Sequence, residues 1–79
     1  MVFLFNSIDA FAAKPTSITF QGEQISTVGQ GYSLYVVRCS NNDVKKISAW
    51  DKRKTWCVGE SQSDFCTRKQ IKAAKIACK

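Results

Sequence analysis

The chain has 79 residues, with twelve lysine and arginine residues, six acidic residues and no histidine, so its formal net charge is +6. The lack of histidine excludes Ser-His and Cys-His catalytic pairs. A chain of this length forms one domain with a small core, and its four cysteines are expected to form two disulfides that contribute roughly 2–4 kcal/mol each.

Residues 1–13 form an apolar segment that ends in small residues, Ala10, Ala12 and Ala13. This end is typical of a signal peptide, whereas Asp9 and the lack of a basic start are not. We predict a signal-peptide remnant at residues 1–13 and a single domain at residues 14–79. The alternative is that the segment stays and packs as a strand or helix. It is too short to span a membrane, and we expect no membrane span.

Short segments rich in β-branched and aromatic residues follow, and turn residues separate them. Consecutive strands of this kind predict an antiparallel meander. A cluster at 40–43 and a basic segment at 51–54 are predicted as four-residue turns. The predicted strands cover five ranges: 17–20, 24–28, 32–39, 44–50 and 55–58.

A C-terminal helix is predicted from Ser63 or Asp64 to about Cys78, since alanines favour it and no glycine or proline interrupts it. At about 100° per residue, four basic residues fall on one stripe, which we call the helix stripe. The fold class is therefore α+β: a small antiparallel meander of about five strands with one C-terminal α-helix packed on a face. The helix stripe consists of Arg68, Lys72, Lys75 and Lys79.

The cysteines at positions 39, 57, 66 and 78 contain no C-x-x-C pair. Structural zinc sites usually contain such close pairs, so we expect disulfides and neither a metal nor a cofactor. If Cys66 and Cys78 share one helix, they lie roughly 18 Å apart, too far for a disulfide.

The two predicted turns place Cys39 and Cys57 on one face of the sheet, with the helix starting near Cys39. The favoured pairing is therefore Cys39–Cys66 with Cys57–Cys78. The alternative, Cys39–Cys78 with Cys57–Cys66, requires a helix that runs in the opposite direction.

The acidic residues give little support to catalysis, because most lie at predicted turns or near the helix start. A Glu60/Asp64 pair is the best remaining arrangement, and capping explains it equally well. The chain also lacks a glycine-rich phosphate loop. We therefore predict no catalytic residues and no enzymatic activity.

Two basic features are candidate binding sites. One is Lys52, Arg53 and Lys54 at the hairpin tip, between Trp50 and Trp56. Basic residues beside aromatic rings suit anionic or stacking ligands. The alternative is that the tryptophans pack in the core while the tip is merely solvated.

The other feature is the helix stripe. The alternative to a binding role is that it is the ordinary solvent-facing side of an amphipathic helix. Stripe and tip would form a two-part basic surface only if they share a side of the fold, and the sequence does not decide that.

The expected function is that of a small exported, periplasmic or secreted, non-enzymatic binding module with a basic surface. Its target would be an acidic protein or an anionic envelope component, because the positive charge favours anionic partners and disulfides persist in oxidising compartments. One alternative is a nucleic-acid-binding protein. A second is a secreted cationic toxin or antimicrobial domain. The sequence predicts no oligomeric state.

Overall fold

A computed structural model describes residues 13–62 and 65–79. It contains one antiparallel sheet with strand order β1-β2-β3-β4-β5 and one helix, α1, that packs against it. This confirms the predicted five-stranded sheet, the C-terminal helix and the two disulfides. The elements are β1 (Pro15–Ile25), β2 (Gly31–Cys39), β3 (Val44–Trp50), β4 (Thr55–Val58), β5 (Cys66–Thr67) and α1 (Gln70–Ala77).

The predicted strand 17–20 and the first two residues of the predicted strand 24–28 belong to one continuous strand, β1, whereas residues 26–28 lie in the loop that follows it. Instead of the predicted turn at Gly22, the structure has a register shift between Phe20 and Gly22, typical of a β-bulge. Gly22 has φ 148°, which a residue with a side chain rarely adopts. The bulge keeps β1 paired with β2 along its whole length.

The helix is shorter than predicted. It begins at Gln70, because the chain before it is extended through Lys69 and forms β5 at Cys66–Thr67. The predicted helix start at Ser63 or Asp64 lies outside the described residues. So do residues 1–12 of the predicted signal-peptide remnant, whereas Ala13 is partly buried against the core.

The two sides of the sheet carry separate apolar clusters. The helix covers the side that carries Val37, Ile47 and Trp56, and we call this side the helix face. Ala73 and Ala74 are fully buried there, since their small side chains let the helix approach the sheet closely. The opposite face carries a second cluster of Tyr32, Leu34, Trp50 and Cys57.

The turn between β2 and β3 is one residue shorter than predicted. The Cys39 amide donates to the Asp43 carbonyl at 2.9 Å, so the loop contains only residues 40–42. Asn42 has φ 73°, as the last residue of a three-residue hairpin loop often does. Tyr35 therefore lies opposite Ile47, and not opposite Ser48 as predicted.

The turn between β3 and β4 is as predicted: Trp50 lies opposite Thr55, and Ser48 lies opposite Cys57. A one-residue error in one hairpin moves every side chain of a strand to the other face. Cys39 and Cys57 therefore lie on opposite faces of the sheet, and the prediction that they share a face is wrong.

The predicted pairing Cys39–Cys66 with Cys57–Cys78 is also wrong. The disulfides are Cys39–Cys78, with 5.6 Å between Cα atoms, and Cys57–Cys66, with 4.0 Å. The reason is β5, which places Cys66 directly opposite Cys57 instead of on the helix. From β5 the chain continues toward the β3–β4 turn, so α1 starts at that end and runs back to Cys39.

Candidate functional site

The β3–β4 turn presents Lys52, Arg53 and Lys54, which are all exposed and which we call the basic tip. Three consecutive residues here, Asp51, Lys52 and Arg53, have φ values of 54°, 59° and 68°. These values lie in the left-handed region that side-chain-bearing residues avoid. The Lys54 amide closes the turn by donating to the Trp50 carbonyl at 3.0 Å.

Several side-chain contacts hold the basic tip in place. The indole Nε1 of Trp56 donates to the Arg53 carbonyl at 3.0 Å. The Thr55 hydroxyl donates to Asp51 at 3.4 Å. The Arg53 guanidinium lies 4.0 Å from the Glu23 carboxylate, which also accepts a 2.9 Å bond from Ser33. The backbone of the tip is therefore fixed to its own hairpin.

Trp50 and Trp56, predicted as possible ligand-contacting residues, are both buried and lie on opposite faces. Trp50 stacks on Tyr32 with 4.5 Å between ring centroids and donates to Ser48 at 2.8 Å. Trp56 packs against Tyr35 at 5.0 Å. The alternative interpretation, that the tryptophans pack in the core, fits both rings. Trp56 also supports the backbone of the basic tip through its hydrogen bond to Arg53.

The helix stripe is divided between the two ends of the molecule. Arg68 lies outside α1, and with Asp51, Lys54 and Thr55 it lines an open cavity of about 560 Å³ beside the basic tip. Within residues 13–62 and 65–79, Lys52, Lys54 and Arg68 make no ion pair. We call Lys52, Arg53, Lys54 and Arg68 together the tip cluster.

Lys75 and Lys79 lie at the other end of the helix, while Lys72 is exposed on α1 and lines neither cavity. Lys75 and Lys79 line a groove of about 620 Å³ between the start of β1 and the helix, which we call the β1–α1 groove. Its apolar walls include Ile18 and Ile71. Lys14 and Ile71 were not predicted as site residues. For Ile71 the available signal was its position four and eight residues before Lys75 and Lys79 on an otherwise polar helix face.

Glu60, half of the carboxylate pair considered for catalysis, contacts two other groups. It accepts a hydrogen bond from the Tyr32 hydroxyl at 3.4 Å, and Lys46 lies 3.1 Å from its other oxygen. Burial, followed by the nearby Glu60 carboxylate, raises the pKa of Tyr32 above its ordinary value. Asp64, its predicted counterpart, lies outside the described residues, and the contacts of Glu60 suit a structural role.

In the described part of the chain, no group of three or more cysteine, aspartate or glutamate side chains could hold a metal ion. Across the same residues, no helix has the length and apolar character needed to cross a membrane. The two disulfides suggest an oxidising, extracellular environment.

No protein-family model matches the sequence, and no curated protein or solved structure shows significant similarity to the chain. The tip cluster and the β1–α1 groove are therefore the basis for assigning a function.

Proposed function

We propose that the protein is a small exported, periplasmic or secreted, non-enzymatic module that binds an acidic protein through its tip cluster. The observation that carries this proposal is the run of three left-handed residues at the basic tip, none of which is glycine. Two of the three, Lys52 and Arg53, belong to the basic tip. An anionic envelope component is the other target class that such a surface would suit.

The left-handed run has an energetic cost. A left-handed conformation costs roughly 1–2 kcal/mol for a residue with a side chain, and somewhat less for aspartate. Net stabilities of small domains are only about 5–15 kcal/mol. Glycine or asparagine would relieve the strain at positions 52 and 53. Strain that is kept in a marginal domain supports a role for the residues that bear it.

The fixed geometry of the tip suits a binding role. Its backbone is held by Trp56 and by the β3–β4 hairpin, so little conformational freedom is lost on association. Lys52, Lys54 and Arg68 form no ion pair within residues 13–62 and 65–79, and their charges would attract a negatively charged partner and accelerate its encounter.

A protein partner is favoured over single-stranded nucleic acid because the aromatic rings near the tip are buried. Proteins that bind single strands stack bases on exposed rings, and Trp50 and Trp56 are only 3% and 7% exposed. An extracellular compartment also suits a protein partner. A cationic antimicrobial role fits less well, since α1 uses Ala73, Ala74 and Ala77 to pack on the sheet.

The test uses the full disulfide-bonded chain as bait in an extract of the exported proteins of its own source. A Lys52→Glu/Lys54→Glu variant reverses two charges of the tip cluster. A matched control, Lys45→Glu/Lys72→Glu, makes the same change in net charge at exposed positions outside it. We expect wild type and control to retain one acidic protein at high salt, and the tip variant to bind it at least about tenfold more weakly.

Equal loss of binding in both variants would show that only net charge matters. Recovery of nucleic acid alone, with affinity that falls steeply as salt rises, would replace the proposal with the nucleic-acid alternative.

A further inference from the structure

The β1–α1 groove is a concave surface at the end of the molecule away from the tip cluster. One wall is formed by residues 13–18, which lead into β1, and the other by Ile71, Lys75 and Lys79 of the helix and its C-terminal end. The Cys39–Cys78 disulfide fastens that end of the helix to β2. Both walls are thus fixed to one rigid scaffold.

Much of the lining of the groove is apolar because the helix leaves part of β1 uncovered. Ile18 lies on the helix face and packs only partly against the core. Ile71 is 51% exposed, although it lies on a helix whose neighbouring side chains reach the core. Pro15 and Ala13 extend the same apolar surface. A ligand that covered these groups would remove them from water at a gain of about 25 cal/mol per Å².

The rim of the groove is positively charged. Lys14, Lys75 and Lys79 line it, and none of the described residues that line it is acidic. Within the described residues none of these lysines forms an ion pair. Lysine side chains can lay their methylene groups along an apolar surface while the ammonium group stays at its edge. The lining of the groove therefore combines apolar side chains with three lysines.

We propose that the β1–α1 groove binds a single-chain anionic amphiphile, with its alkyl chain against Ile18 and Ile71 and its acidic head near Lys14, Lys75 and Lys79. The volume of about 620 Å³ lies within the range of small-molecule sites. The three lysines, with no acidic residue among the described residues of the lining, make its charge complementary to an anionic head. A concave groove suits one monomeric ligand better than the flat surface of a bilayer. This site is separate from the tip cluster, so each can fail without the other.

The test is a titration of the full chain with laurate below its micelle-forming concentration, followed residue by residue by backbone amide NMR. Acetate carries the same head without the chain, and dodecyl maltoside carries the chain without the charge. We expect saturable shifts at residues 14–18 and 71–79 with laurate, none with acetate, and weaker binding of the neutral amphiphile.

Variants separate the two parts of the site. Lys75→Gln/Lys79→Gln should weaken laurate binding about tenfold, and Ile71→Ser about three- to tenfold. The matched control, Lys45→Gln/Lys72→Gln, removes the same charge outside the groove and should bind like wild type. Ile71 is exposed, so its replacement should leave the fold intact, as an unchanged amide spectrum would show.

The proposal is overturned if laurate shifts the exposed Ile25 and Val28 instead, or if the control variant loses as much affinity as Lys75→Gln/Lys79→Gln. Binding to anionic phospholipid vesicles without binding to monomeric laurate would also overturn it, because the ligand would then be a membrane surface.

Discussion

The tip cluster and the β1–α1 groove both concentrate positive charge, but they place it in different surroundings. At the tip, the cations stand on a strained turn whose neighbouring rings are buried. In the groove, three lysines surround exposed aliphatic side chains. The two groups of cations therefore suit two classes of anion. The tip suits carboxylate groups on a protein surface, and the groove suits an anionic head with an apolar chain. The two sites differ more in the surroundings of their positive charges than in the number of those charges.

The two disulfides are expected to contribute unequally to the stability of the domain. Cys39–Cys78 joins residues 39 positions apart at the groove end, whereas Cys57–Cys66 joins residues nine positions apart across neighbouring strands. A longer closed loop restricts the unfolded chain more. We expect the Cys39→Ala/Cys78→Ala variant to lose about 4 kcal/mol of unfolding free energy, and Cys57→Ala/Cys66→Ala about 3 kcal/mol.

Urea denaturation of the two variants under identical conditions measures this difference. A larger loss in Cys57→Ala/Cys66→Ala would contradict the expectation that the bridge that closes the longer loop contributes more stability.

The strain at the tip predicts a stabilising mutation. Lys52→Gly should raise the unfolding free energy by about 1 kcal/mol, because glycine adopts the left-handed conformation without a side-chain clash. Lys72→Gly removes the same charge from α1 and should lower it by about 1 kcal/mol, the usual cost of glycine in a helix. Thermal or urea unfolding of both variants is the measurement. Destabilisation by Lys52→Gly comparable to that in the helix would show that the tip stores no strain.

A smaller effect on stability is expected from Tyr32, which lies on the opposite face of the sheet near the tip. Burial is the larger cause, and the Glu60 carboxylate the next, of the raised pKa of Tyr32. Below about pH 10, Tyr32 is protonated in both the folded and the unfolded chain, so its contribution to stability is fully present. Above that pH the unfolded chain loses the proton first, and stability falls as pH rises through the folded pKa.

Glu60→Gln removes the neighbouring negative charge and should lower the pKa of Tyr32, while the contribution from burial remains. The test is ultraviolet titration of the phenolate in a Tyr35→Phe background, which leaves Tyr32 as the only tyrosine. An unchanged pKa would show that Glu60 does not act on Tyr32.

The sequence was sufficient to predict elements that depend on local signals. The strand from Tyr32 to Cys39, the turn at 51–54 and the register of β3 with β4 were all predicted correctly. The basic tip followed from the same local pattern. The β2–β3 register failed because a cluster of turn-forming residues does not specify whether a loop has three or four residues, and one residue reverses the faces.

The remaining errors concern contacts that only the tertiary fold determines. Strand β5 has two residues, and its pairing depends on the return of the chain beside β4 and on the Cys57–Cys66 bridge. Nothing in the local sequence separates these residues from the helix, because no glycine or proline intervenes. The β1–α1 groove was missed for a similar reason: Lys14 and Ile71 are far apart in sequence and meet only when the helix runs from the tip toward Cys39.

Both proposed sites depend on that helix direction, and the disulfide pairing reports it most directly. Trypsin cuts after lysine and arginine, so Cys57 and Cys66 both remain in the peptide Thr55–Arg68, while Cys39 and Cys78 fall in Cys39–Lys45 and Ile76–Lys79. Mass spectrometry of a non-reduced digest should find Thr55–Arg68 as a single peptide two hydrogens lighter than its reduced form. It should also find Cys39–Lys45 linked to Ile76–Lys79. One species that contains all three peptides would mean that another pairing is present, and it would contradict the helix direction on which the tip cluster and the groove rest.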